Sequence, residues 1–188
     1  RKKPLDFLGS SIGAWRGAAF ACKDPAAKHE LFVNAYLTQH YSNKPTAADV
    51  TAESIRIMDL YLQDPDIEYI LGGSKVCLNI ISARCTGLSA TASSRLLMAA
   101  MAPAALANLA GRGALLKIFR RTMFYDPRSI SPFRDIAGKD SQVPLTSGNL
   151  RDAVLSSGSI PFVMEGISGI QGAPAGTYRD GGLTDYHP

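Results

Sequence analysis

Cysteine, histidine and long apolar runs are all scarce in this chain, and each shortage removes a class of function. The three cysteines, Cys22, Cys77 and Cys85, cannot all pair, and no two of them stand in a C-x-x-C spacing. Thiolate metal sites need such spacing, so the thiols read as buried and reduced, and neither a metal nor a cofactor is expected. There are three histidines, and His29 and His40 fall on helical stretches where they read as surface or packing residues. The Ala-, Leu- and Met-rich run Leu96 to Ala110 is fifteen residues long and holds Pro103, too short to cross a bilayer. Between Gly9 and Gly17 there is no G-x-G-x-x-G and no Gly-Lys-Ser/Thr, which argues against nucleotide binding there. An initiator Met and an apolar leader are also missing from the start, Arg1-Lys2-Lys3-Pro4, so a segment of a longer polypeptide is expected.

What remains is an ordinary globular composition, 46% hydrophobic and 19% charged over 188 residues, which suits one domain with a real core. Its formal charge of +4 is uneven. Residues 84–134 hold eight cations against the single Asp126, net +7, and the remainder is net −3. Such a segment suits an anionic partner or a solvated helix face. It lacks aromatic interleaving and any nucleic-acid-binding module, so no nucleic acid is expected. Within it, Ala114 to Phe124 reads as an amphipathic helix, with Leu115, Leu116, Phe119 and Met123 on one side and Lys117, Arg120 and Arg121 largely on the other. That pattern suits an interfacial helix, a lid over an apolar pocket, or plain core packing.

The apolar pattern elsewhere predicts strands at 5–10 and 75–83 and a short one at 162–164, the second buried on both faces. Helices are expected over 12–22, 26–41 and 149–156, with another through Ile55, Met58 and Leu62 interrupted at Asp64-Pro65. Leu31 and Ala35, with Phe32 and Tyr36, are expected to face inward. Thr46 or Thr51, and Thr146 or Ser147, are the candidate N-caps.

One local pattern carries chemistry. Gly9-Ser10-Ser11-Ile12-Gly13 lies between the first strand and the first helix, the setting of a nucleophile elbow. Bulky side chains at Gly9 or Gly13 would crowd a turn sharp enough to expose Ser11. The following helix would aim free N–H groups, beginning near Ile12, at negative charge forming beside the serine. A serine hydroxyl also needs a base. Asp180 is the attractive candidate, because it follows an apparent strand end and precedes Gly181 and Gly182, which permit close backbone approach.

Three blocks then stand in order: Leu8-Gly9-Ser10-Ser11-Ile12-Gly13-Ala14, Ala153-Val154-Leu155-Ser156-Ser157-Gly158-Ser159-Ile160-Pro161, and Tyr178-Arg179-Asp180-Gly181-Gly182-Leu183-Thr184-Asp185-Tyr186-His187-Pro188. Together they resemble the patatin-like phospholipases, Ser-Asp acyl hydrolases. The resemblance implies an α/β fold, a three-layer α/β/α sandwich with a mostly parallel central sheet. It also implies a variable helical or lid-like insertion at about 86–135. It makes Ser11 the nucleophile and Asp180 the base, with Gly9, Ile12 and Gly13 shaping the elbow and oxyanion site and Gly181 and Gly182 supporting the substrate site. The implied substrate is a phospholipid or other acyl ester, met by a cytoplasmic or peripheral membrane protein that touches anionic lipid. The family's Gly-rich oxyanion loop precedes the nucleophile, and the ten residues before Ser11 do not contain it; truncation is the favoured explanation. Two alternatives stay open: a catalytically weak or inactive lipid-binding member of the fold, and a triad in which His187 joins Ser11 and Asp180.

Overall fold

The computed structural model describes residues 4–41, 43–85, 119–129 and 141–184. Within them the chain forms β1 (Leu5–Ser10), α1 (Ile12–Ala21), α2 (Pro25–Leu37), α3 (Ala47–Tyr61), α4 (Asp64–Gly72), β2 (Val76–Cys85), β3 (Phe119–Tyr125), β4 (Gln142–Pro144), α5 (Leu150–Ser157), β5 (Ile167–Ser168) and β6 (Thr177–Asp180). The strands make one sheet in the order β4-β3-β2-β6-β5, with β1 also on β2.

α2 and α3 start where side chains satisfy free N–H groups. Asp24 accepts from the Ala27 N–H ahead of Pro25, which opens α2. Thr46 caps α3 in a reciprocal capping box with Asp49. Thr51 instead lies inside that helix and bonds back to the Ala47 carbonyl. Asp64-Pro65 separates α3 from α4 as expected, and Pro65 fits the first turn of α4, where its missing N–H costs nothing. Neither Thr146 nor Ser147 caps α5. Asn149 holds the N-cap position, accepting from the Thr146 N–H and donating to the Pro144 and Gln171 carbonyls.

β2 is the spine of the sheet. Nine of its ten residues are buried, so its unbroken apolar run reflects cover on both faces. Val76, Leu78 and Ile80 enter the main core with Ala14, Ala18, Phe32, Met58, Tyr61 and Val154. Trp15, Phe32 and Tyr61 stack as a tilted aromatic group where α1, α2 and α3 meet. Ala83 and Cys85 pack with Phe119 in a smaller cluster beside Leu183. α1 lies close on the sheet because Gly17 faces Phe7 and Leu78; a methyl group there would overlap the Phe7 ring.

Several expectations need correction. The sheet is mixed rather than mostly parallel: β1–β2 and β3–β4 are parallel, while β2–β3, β2–β6 and β5–β6 are antiparallel. A doubly covered strand such as β2 has the same composition whichever way its neighbours run. The helix expected over 114–124 is, from Phe119 onward, strand β3 in register with β2. Phe119 and Met123 share a face at either helical or strand spacing, and pairing with β2 decides between them. Residues 162–164 form a turn, closed by the Val163 and Met164 N–H groups on the Ile160 carbonyl, with Phe162 at φ 69°. In α2, Phe32 and Ala35 are buried, but Leu31 and Tyr36 are exposed, as is Ile55 in α3. Of the insertion expected at about 86–135, residues 119–129 are described and include strand β3, and the rest lies outside the described residues. His187 is also outside them.

Candidate active site

The sheet register brings Ser11 and Asp180 together. β1 runs parallel to β2 and ends with Ser10 opposite Ile81. β6 runs antiparallel to β2, on from Thr177 opposite Cys85, and ends with Asp180 opposite Ser82. Two strands of opposite direction thus end at adjacent points on one neighbour, their C-terminal ends converging. Ser11 follows one end and Asp180 closes the other.

The turn after β1 is tight. Ser11 adopts φ 54° and ψ −133°, a conformation that costs a non-glycine residue about 1–3 kcal/mol. Gly9 is required by space, since a Cβ there would stand 2.8 Å from the Ala14 backbone. Gly13 is different: a Cβ there meets nothing within 4 Å, so the crowding expected of both glycines applies only to Gly9. Ile12 is the first residue of α1, so its N–H has no acceptor within the helix. Its side chain is exposed.

Ser11 Oγ donates to Asp180 Oδ2 at 2.6 Å. The other carboxylate oxygen, Oδ1, accepts the Gly182 N–H at 2.7 Å, so Gly182 fixes the carboxylate's orientation. Gly181 sits against the backbone of β2: a side chain there would overlap the Ile81 carbonyl and stand 2.7 Å from Ser10 Oγ. Asp180 is buried, and desolvation pushes its pKa above the ordinary aspartate value, against the opposing hydrogen bonds from Ser11 and Gly182. A carboxyl with raised pKa holds a proton more readily, which suits a group that must accept one in the reaction.

A short segment that begins at the last residue of α5 holds both partners. Ser157 Oγ accepts the Ser11 N–H at 3.0 Å and donates to the Ile81 carbonyl at 2.6 Å. Two residues on, the Ser159 carbonyl accepts the Asp180 N–H at 3.0 Å. Gly158 lies between them because Trp15 leaves no room for a side chain: a Cβ would stand 2.7 Å from its indole Nε1. The second sequence block is therefore a clamp across the serine and the aspartate. Sequence reasoning placed the block in order but assigned Ser157 and Ser159 no task, because their partners are distant in the chain.

An apolar cavity of about 480 Å³ opens beside Ser11. Its residues come from Ser11 and α1, α2, the loop between α2 and α3, α3 and the 158–164 turn, and nothing in the local sequence pattern marks them as a group. The expected lone thiols are buried, and burial raises Cys22 to about 12 and Cys85 to about 11. Among the described residues no group of three or more His, Cys, Asp or Glu side chains could hold a metal.

A strand end, a strained serine whose hydroxyl donates to a carboxylate, and a helix N-terminus thus meet beside an apolar cavity. Residues 2–188 match the family model for patatin-like phospholipase, and the chain belongs to that family. Comparison with curated proteins and with solved structures returned no match. Family membership carries the coarse expectation of an esterase or phospholipase acting on lipid.

Proposed function

We propose that this chain is a serine carboxylic-ester hydrolase of phospholipase A or lysophospholipase type, working through Ser11 and Asp180 and an acyl-enzyme. The observation that carries this reading is the 2.6 Å hydrogen bond from the Ser11 hydroxyl to a buried carboxylate. As Ser11 Oγ attacks the ester carbonyl, its proton passes to Asp180 Oδ2. The tetrahedral oxyanion forms beside the first turn of α1, where the Ile12 N–H and the positive end of the helix favour negative charge. Collapse breaks the bond to the leaving alcohol, which takes the proton from Asp180. Water then gives its proton to Asp180, attacks the acyl-Ser11 ester and releases a fatty acid, and the proton returns to Ser11.

In this mechanism Gly182 orients the base, Gly181 lets it approach β2, and Gly9 lets the elbow fold. The apolar cavity supports an acyl substrate, and family membership supports a lipid one. Contact with anionic membrane belongs to the same proposal and draws on the uneven charge of residues 84–134.

The test is fatty-acid release from phospholipid vesicles by the full protein and by its Ser11→Ala and Asp180→Asn forms. Turnover by the parent that each substitution abolishes supports the reading. Turnover that survives either change refutes it. Vesicle binding without release by the parent favours the alternative, a lipid-binding member with little or no catalysis.

A further inference from the structure

Two arginines stand opposite each other in the sheet beside the serine and aspartate. β2 is flanked by β6 and β3, and directly opposed residues on paired strands share a face. One row across the three strands is Asp180, Ser82 and Thr122; the next row on that face is Tyr178, Arg84 and Arg120. Ser82 bonds Ser156 of α5, so this is the face that α5 covers. Two residues of strand span about 7 Å, so the arginine row lies one short step from the row that ends in Asp180.

Like charges directly opposite each other repel. Among the described residues neither guanidinium has an ion pair, and the carboxylate in the next row, Asp180, is engaged with Ser11 and Gly182. Arg120 is exposed and Arg84 half-buried. Gly176 packs on the stem of Arg84: a Cβ there would stand 2.9 Å from Arg84 Cγ. Burial raises the pKa of Tyr178 and the Arg84 guanidinium opposes that, so the two side chains lie together. Arg84 Nε and Thr122 Oγ1 are both buried without a hydrogen-bond partner.

We infer that Arg84 and Arg120 form a phosphate subsite, and that the substrate is a glycerophospholipid with an anionic headgroup whose phosphate seats between the two guanidinium groups. The inference rests on the ester-hydrolase reading of Ser11 and Asp180. An anion between the cations turns their repulsion into attraction, and its oxygens accept from the unmet Arg84 Nε–H. Guanidinium forks match phosphate oxygens two at a time. Glycerol separates the acyl carbonyl from the phosphate by a span comparable with the spacing of the two rows. A choline or ethanolamine cation is repelled here, and an ester without phosphate has nothing to place between the arginines.

The test is calorimetric titration of the full Ser11→Ala protein with dihexanoyl phosphatidylglycerol below its micelle concentration, and with dihexanoylglycerol, which lacks phosphate. Phosphatidylglycerol binds more tightly. Arg84→Gln and Arg120→Gln, each in the same background, weaken it by about tenfold or more, the loss expected of charge-assisted hydrogen bonds. Lys75→Gln removes an exposed cation at the opposite end of β2 and keeps the affinity. Arg120 is exposed, so Arg120→Gln carries the test if Arg84→Gln does not fold.

Equal affinity for the two ligands overturns the proposal, as does phosphatidylglycerol affinity within about twofold of the parent in folded Arg120→Gln. Inorganic phosphate is titrated separately: phosphate binding that needs the arginines, with phosphatidylglycerol binding that does not, makes the pair a free-phosphate site and overturns the headgroup assignment. Ester turnover is measured on the protein with Ser11 intact. Arginine-dependent binding without turnover leaves the subsite standing and removes the hydrolase reading; turnover with arginine-independent binding does the reverse.

Discussion

Ser157→Ala separates holding the nucleophile from being the nucleophile. The side chain is fully buried and bridges the Ser11 N–H and the Ile81 carbonyl. Alanine leaves both groups without that partner, and one unsatisfied buried polar group costs about 1–3 kcal/mol. The bond also opposes the strain at Ser11, itself about 1–3 kcal/mol. A net loss of about 2 kcal/mol lowers Tm by about 4–8 °C in a chain of this size. Catalysis loses more than stability does, because a nucleophile shifted by about 1 Å can lose about 100-fold in rate. Ser157 does not line the cavity, so KM stays close to that of the parent while kcat falls. The assay is kcat and KM on a soluble acyl ester, paired with thermal unfolding. Ser157→Thr keeps the hydroxyl and restores most of kcat. A variant with the lowered Tm but kcat within twofold of the parent refutes the positioning role.

The remaining predictions concern charge and thiols. Asp180 has its folded pKa raised by desolvation, so its contribution to stability is favourable below the unfolded value and is lost as pH rises through the folded value. Asp180→Asn therefore has a higher Tm than the parent at neutral pH, an advantage that disappears in acid; thermal unfolding against pH checks it, and an Asn form less stable at pH 7 contradicts it. The same shift places the acid limb of kcat/KM above the pH at which an ordinary aspartate titrates. Cys22, Cys77 and Cys85 are buried and their pKa values raised, so a thiol reagent labels none of them in the folded protein and all three after unfolding.

Local signals made some of this molecule readable from its residues. The elbow is local: a short apolar run, Gly9 before Ser11 and small residues after it give β1, the turn and α1. The capping pair Thr46 and Asp49 marks the start of α3 in the same way. Asp180 was reachable because two glycines follow it and because the three blocks keep their order. Interactions distant in sequence were not readable. β3 could be taken for helix because only its register with β2 distinguishes the two. Phe162 to Met164 is apolar enough for a strand, yet hydrogen bonds to Ile160 close it into a turn. Ser157 meets Ser11 across 146 positions, and the cavity draws on residues from Ser11 to Met164, separations over which no periodicity operates.

The central claim is that Asp180 activates Ser11. The most direct measurement is the rate at which a fluorophosphonate adds to the intact protein, read by mass, with the modified residue mapped by peptide sequencing. The account predicts a single adduct on Ser11, none in Ser11→Ala, and a rate reduced at least about 100-fold in Asp180→Asn, in line with loss of a general base. Labelling of another residue, or an Asp180→Asn rate equal to that of the parent, contradicts it.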